Sequence, residues 1–179
     1  MVAPEKSELR RAVRARLVQL TSDDKVLRSA SICDEVERHI LANGASVVAL
    51  FSPLADEPQL WPLVERLAGR MQVVLPRVEG EVMNFYPYGG EIMAIGAFGI
   101  SEPQGGVPVQ PFEIDAVVVP GVAFTAGGAR MGRGKGFYDR YLSQSGFTAL
   151  KIGVCYREQL VPEILTEKHD VEMDIVVYK

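Results

Sequence analysis

Three glycines alternate with two cations in Gly132-Arg133-Gly134-Lys135-Gly136, and the surrounding run from Arg130 to Arg140 adds two more arginines and the carboxylate of Asp139. Glycine lets a backbone turn tightly and aim several N–H groups at one point, while long cationic side chains reach that same point. Those are the parts of a phosphate cradle. The segment after it reads as a helix from about Gly136 to Ser143, whose N-terminus would add partial positive charge and free N–H donors. Standard nucleotide motifs do not match. A Walker A loop needs glycine and then Ser or Thr where Ala129 and Gly136 stand, and Phe137 holds the place of the third glycine of a dinucleotide fingerprint. A merely flexible surface loop is the competing reading, yet it has no use for Arg130, Arg133, Lys135 and Arg140 gathered around glycines.

Other residues have less to say on their own. Asp139 could hold a magnesium ion bridging phosphate oxygens, or be a first-turn acid favouring the helix dipole, and the sequence weighs these equally. Lys6 and Arg10 stand four apart and share a helix face, which taken alone reads better as a wet face than as a ligand site. Trp61 and Tyr138 could stack on an aromatic ligand, with packing the better reading for Trp61. His39, among Glu35, Glu37 and Arg38, reads as part of a solvated face, and His169 as a residue that positions its local loop.

Elements able to position such residues are visible in the pattern. Leu9, Ala12, Val13, Leu17 and Leu20 form an apolar stripe at helical spacing, followed by a second helix with Val26, Ala30, Cys33, Val36 and Ile40 inward. Thr21 and Ser22 can cap that second helix, and Asn43-Gly44 stops it. Short valine-rich runs, Ser46 to Phe51, Met71 to Leu75 and Asp115 to Val119, predict buried strands. A helix from Leu60 to Ala68 joins the first two and favours a parallel pair. Further strands are expected at Val82 to Tyr86, Ala149 to Val154 and Ile175 to Tyr178, and a long irregular loop from Gly89 to Pro111, with a short turn of helix at most. The expected fold class is α/β, a three-layer αβα single domain over residues 1–179 with a mainly parallel central sheet.

Composition narrows the partners. The chain has 179 residues, 47% of them hydrophobic and 23% charged, enough for one domain with a full core and no need of disulfides or structural metal. Cys33 and Cys155 form no CxxC pair and read as reduced, partly buried thiols. A formal net charge of −4 argues against nucleic acid as a partner and requires any anion site to be local. No apolar run is long enough to span a bilayer, and the charged start Met1-Val-Ala-Pro-Glu-Lys lacks the apolar stretch of an export signal, so a cytoplasmic protein without a membrane partner is expected.

Several motifs in order, Lys6-Ser-Glu-Leu-Arg10, Glu57, Phe98-Gly-Ile-Ser-Glu-Pro103, Pro120-Gly-Val-Ala-Phe124, Arg130 to Arg140 and His169-Asp170, make the chain resemble the 5-formyltetrahydrofolate cyclo-ligases over essentially its whole length. The resemblance implies a NagB/RpiA-like fold and an ATP- and Mg2+-dependent conversion of 5-formyltetrahydrofolate to 5,10-methenyltetrahydrofolate. It also implies roles for residues. Lys6, Arg10 and the loop Arg130, Met131, Gly132, Arg133, Gly134, Lys135, Gly136, Phe137 and Tyr138 would contact ATP. Ser52, Glu57 and the stretch Arg133 to Phe137 would face the folate, Asp139 and Asp170 would bind magnesium, and Arg133 and Lys135 would carry the catalytic charge stabilisation. Thr125 replaces the acidic residue and Leu60 the threonine usual in the family, which bears on pocket shape. A monomer acting on small molecules is expected. Two rivals stay open: a non-catalytic relative that binds nucleotide or RNA, and an ATP-dependent enzyme acting on another N-formyl or pterin-like substrate.

Overall fold

The computed structural model describes residues 5–89, 93–96 and 98–179. Met1 to Pro4, which begin the charged N-terminal segment, lie outside the described residues, as do Gly90 to Ile92 and Ala97 of the loop expected from Gly89 to Pro111.

Helix α1, Lys6–Leu17, buries Leu9, Val13 and Leu17 and leaves Arg11, Arg14 and Arg16 exposed, with Arg10 half-buried. Helix α2, Ser22–Ala42, starts at a capping box in which the Thr21 hydroxyl accepts the Asp24 amide and the Asp24 carboxylate accepts the Thr21 amide. Its buried stripe begins one turn later than the sequence suggested. Val26 is exposed, and Ser29, Ile32, Cys33, Val36 and Ile40 face inward. Strand β1, Val47–Ala49, leads through helix α3, Trp61–Ala68, to strand β2, Gln72–Glu79, which lies parallel to β1.

Strand β2 runs four residues past the expected Leu75 and pairs antiparallel with β3, Val82–Pro87. Pro76 is tolerated there because β1 pairs with β2 only as far as Val74, so Pro76 has a strand on one side alone. The region expected to be irregular also contains structure. Strands β4, Met93–Ile95, and β5, Ser101–Pro103, form a hairpin, and Pro111–Glu113 make a short 3-10 turn. Three-residue strands separated by glycines leave no alternating pattern long enough to read from sequence.

Strand β6, Ala116–Val119, returns to the sheet beside β1. A small antiparallel pair, β7, Ala123–Phe124, and β8, Arg130–Met131, then precedes helix α4, Phe137–Leu142. Strands β9, Leu150–Cys155, and β10, Ile175–Tyr178, complete a six-stranded sheet of order β10-β9-β6-β1-β2-β3, parallel except for β3.

Alternate residues of the strands feed two cores, as the period of two requires. Val48, Leu50, Val73, Leu75, Ala116, Val118, Ile152 and Val154 pack with the buried faces of α1, α2 and α3. Ala49, Val74, Val117, Val119 and Cys155 pack on the other side with Phe85, Phe124, Tyr141 and Leu142. The layer there is thin, made of α4 and loops. Gly153 lets it approach closely: a Cβ at that position would lie 2.6 Å from Phe124 Cε1.

Candidate active site

The order of the sheet determines where a ligand can enter. From β1 the chain passes through α3 to β2 on one side, while β6 lies on the other, and at such a reversal the loops leaving neighbouring parallel strands diverge and open a crevice. Phe51, Ser52, Leu54 and Glu57 follow β1, and Pro120 and Gly121 follow β6; all line one cleft of about 540 Å³. Lys6, Arg10, Arg130 to Tyr138, Asp139 and Asp170 line the same cleft. Residues drawn from both ends and the middle of the sequence therefore meet in one place.

At one end the cleft is ionic. The Lys6 ammonium donates to Glu167 Oε1 at 2.8 Å and to Asp170 Oδ2 at 2.9 Å. Burial works hardest against the charge on Asp170, but the Glu167 amide and Lys6 outweigh it and hold the carboxyl below its usual range. Lys6 is raised in turn, its partial burial outweighed by the two acids. Arg10 donates from Nε to the Gly132 carbonyl at 3.1 Å, which joins α1 to the glycine-rich turn. Gly134 and Gly136 adopt φ of +99° and +68°, the left-handed region where a side chain is strained, so both glycines are required by the turn itself.

Arginines in the turn differ in their settings. Arg130 is buried, donating to the Pro120 carbonyl at 3.1 Å and to Asp139 Oδ1 at 3.0 Å, while its Nε has no partner. It braces the turn from beneath. Arg133 reaches across to the loop after β1, donating to Glu57 Oε1 from Nε at 3.2 Å and Nη2 at 2.9 Å, and to Asp56 Oδ1 at 2.6 Å. Lys135 is exposed and forms no ion pair among the described residues. Helix α4, Phe137–Leu142, lies inside the stretch expected to be helical from about Gly136 to Ser143.

Glu57 is 4% exposed, with Oε2 accepting the Leu54 amide at 2.9 Å and Oε1 held by Arg133. Burial dominates its titration and pushes the carboxyl up despite the Leu54 amide and Arg133. Ser52 donates its hydroxyl to the Ser101 carbonyl at 2.6 Å and so ties the β1 loop to β5. Beyond Glu57 the walls turn apolar, with Pro76, Val78, Met83, Phe98 and Ile100. Phe98 and Phe137 pack edge to face at 5.8 Å. Burial drives the Tyr138 phenol far upward, so Tyr138 faces the cleft as a neutral group.

A divalent metal was expected on Asp139 and Asp170. Asp139 Oδ1 accepts from Arg130 and from the Val171 amide at 3.1 Å, which brings the two acids to the same end of the cleft. Each acid keeps a second oxygen that accepts no hydrogen bond from the described residues. No group of three or more metal-ligating side chains occurs among the described residues. That donor set fits magnesium, which binds through one or two carboxylates and completes its shell with phosphate and water.

The sequence profile of the 5-formyltetrahydrofolate cyclo-ligase family matches residues 2–179. The chain belongs to that family. A 5-formyltetrahydrofolate cyclo-ligase of Mycolicibacterium smegmatis is 32% identical over 139 residues, covering 73% of this chain and 72% of the relative. One from Mus musculus is 23% identical over 189 residues, covering 97% and 93%. The NMR structure of Aquifex aeolicus 5,10-methenyltetrahydrofolate synthetase superposes with a TM-score of 0.85 at 33% identity, covering 97% of this chain and 89% of that one. A 5,10-methenyltetrahydrofolate synthetase from Mycoplasma pneumoniae gives 0.77 at 25% identity, covering 97% and 98%. The protein is thus an enzyme of the cyclo-ligase family with that family's mixed α/β fold.

Trp61 is not among the residues lining the cleft; it packs at the start of α3 with its ring 6.4 Å from that of Tyr88. Leu60, fully buried, and Thr125, whose hydroxyl accepts the Ala129 amide, also lie outside the lining, so the two departures from the family pattern leave the cleft wall untouched. Asp56, Glu167 and Glu102 were not singled out from sequence. The first two contact expected cations, and an acid beside Glu57 and an acid three before Asp170 were the available signals. Among the described residues no helix is long and apolar enough to cross a membrane.

Proposed function

We propose that this enzyme joins 5-formyltetrahydrofolate and ATP in one cleft and yields 5,10-methenyltetrahydrofolate, ADP and phosphate. The observation carrying this reading is the two-ended cleft. Lys6, Arg10, Lys135 and the glycine turn sit at one end, and an apolar wall with Glu57 and Tyr138 at the other, within a single space of about 540 Å³. A polyphosphate suits the first end and a flat heterocycle the second.

The chemistry requires such a juxtaposition. Hydroxide is a poor leaving group, so the formyl oxygen must be activated before nitrogen 10 can close the ring. Attack of that oxygen on the γ-phosphorus forms an O–P bond as the bridge to ADP breaks. Nitrogen 10 then adds to the formyl carbon, and the C–O bond breaks with phosphate carrying the oxygen away while nitrogen 10 loses its proton. No covalent enzyme nucleophile is needed. Holding the two reactants in register lowers such a barrier by roughly 7 to 11 kcal/mol.

Lys6, Arg10 and the turn backbone would hold the phosphates, and Lys135, exposed at the rim, is free to follow the transferred group. Arg133 would exchange part of its contact with Asp56 and Glu57 for a phosphate oxygen. Glu57 and Ser52 would orient the folate. Magnesium, held by Asp139 and Asp170, would neutralise phosphate charge. The buried free thiols of Cys33 and Cys155 suit a reducing cytoplasm.

The test mixes the purified protein with 5-formyltetrahydrofolate, ATP and Mg2+ and follows methenyl absorbance, omitting each component in turn. Product formation that needs all three supports the reading, and product without ATP, or none with the full mixture, rejects it.

A further inference from the structure

Glu102 belongs to β5 and is 4% exposed, yet it lines the cleft beside Val78, Met83, Phe98 and Ile100. Its Oε1 accepts the Val78 amide at 3.2 Å. Oε2 accepts no hydrogen bond from the described residues, and it is not among the fully buried unpaired atoms, so it keeps some surface open. Arg77 acts on it only through its charge: Nη1 is taken by the Pro103 and Gly105 carbonyls and Nη2 by Glu79, and the buried Nε makes no hydrogen bond among the described residues. Oε2 therefore has no partner among the described residues to replace water when a ligand fills the cleft, and burial of the carboxyl already pushes Glu102 up against the opposing pull of the Val78 amide and Arg77.

Glu57 differs from Glu102 in that, before any ligand binds, both its oxygens accept hydrogen bonds from the protein. The position of Glu102 is also defined from below. A Cβ on Gly96 would stand 2.1 Å from Oε2, so the carboxyl occupies the space a side chain there would take. A carboxyl oxygen fixed in an apolar wall rewards one kind of ligand atom, an N–H donor on a flat ring, because the donor restores a hydrogen bond in a region poor in water. A reduced pterin carries such donors on its aminopyrimidine edge.

Resting on the folate reading of this cleft, we infer that Glu102 is the specificity-determining residue that accepts an N–H from the 2-amino group on the aminopyrimidine edge of the substrate. Phe98 and Ile100 form the apolar wall beside it, and the formyl group then lies toward the cationic turn at the other end. Discrimination comes from Oε2. A ring without the donor leaves it unpaired, and a residue without the oxygen has nothing to discriminate with.

The experiment titrates the protein with 5-formyltetrahydrofolate and with its 2-desamino-2-methyl analogue, reading binding by fluorescence, and separately with ATP. Wild-type protein should bind the parent about ten-fold or more tighter than the analogue. Glu102→Ala should lose that preference, binding both compounds as weakly as wild type binds the analogue, with ATP affinity within about two-fold of wild type. Glu102→Gln keeps an oxygen for the Val78 amide but turns an N–H toward the ligand, and should act likewise. Gly96→Ala, which forces Oε2 aside, should also lose the preference. Equal binding of parent and analogue by wild type overturns the inference even if every variant fails to fold, and so does a preference that survives in either Glu102 variant. Binding is read apart from turnover: selective binding without methenyl formation would support Glu102 while rejecting the proposed reaction. Failure to bind either compound would overturn the inference.

Discussion

Lys6 Nζ and Asp170 Oδ2, 164 positions apart in sequence, meet at 2.9 Å and fasten helix α1 to the segment before β10. The contact closes one end of the cleft with two residues that the proposed reaction assigns to phosphate and metal. It also has a defined pH dependence. Asp170 is held below its ordinary 3.8, so the stability it contributes is present above that value and is lost as pH falls through the lower folded one. Lys6 is raised above 10.5, so its contribution is full below that value and is lost as pH rises through the higher folded one. Thermal melts of wild type and Lys6→Met should therefore differ by a constant amount from about pH 5 to about pH 9, and converge below about pH 4. A difference that grows on acidification would show that the pair does not stabilise the fold.

Lys135 is exposed and makes no ion pair among the described residues, so its removal has little to disturb. Lys135→Ala should keep its melting temperature within about 2 °C of wild type. Its kcat should fall by about 10²-fold or more, the usual effect of removing one group that stabilises transition-state charge. Circular dichroism and the methenyl assay measure the two separately.

Much of the scaffold was legible. Valine-rich runs gave β1, the start of β2 and β6, the strands expected at Ala149 to Val154 and Ile175 to Tyr178 lie within a residue of β9 and β10, and Thr21 marked the start of α2. The cationic turn was legible too, because Gly132 to Gly136 carry their chemistry within five neighbouring residues. Contacts between distant segments were not. Nothing local says that Arg133 will meet Glu57, 76 positions away, or that Arg130 will be buried as a brace while Lys135 stays in water. Glu102 lies in a recognisable motif, yet only the hairpin of β4 and β5 carries its carboxyl to the cleft.

Glu57→Gln removes the charge that Arg133 faces while retaining one oxygen for the Leu54 amide or for the arginine. Titration should show folate affinity reduced by about ten-fold, and urea unfolding a loss of about 1 to 3 kcal/mol from the disturbed buried network. Unchanged folate affinity would remove Glu57 from the binding wall.

Gly153 tests the fold independently of the chemistry. A Cβ there would lie 2.6 Å from Phe124 Cε1 and 3.0 Å from Met173 Cγ, inside the thin layer beneath the sheet. Gly153→Ala should cost about 1 to 3 kcal/mol in urea unfolding, as overpacking does, with substrate KM values little changed in the folded fraction. A variant as stable as wild type would mean that Phe124 does not rest on β9 as described.

The most direct test of phosphoryl transfer to the formyl oxygen follows that oxygen. Substrate labelled with 18O in the formyl group is turned over with unlabelled ATP in unlabelled water, and the released inorganic phosphate is analysed by mass spectrometry. The label should appear in phosphate, one atom for each methenyl product formed. Unlabelled phosphate, with the 18O recovered in water, would contradict the reaction assigned to this cleft.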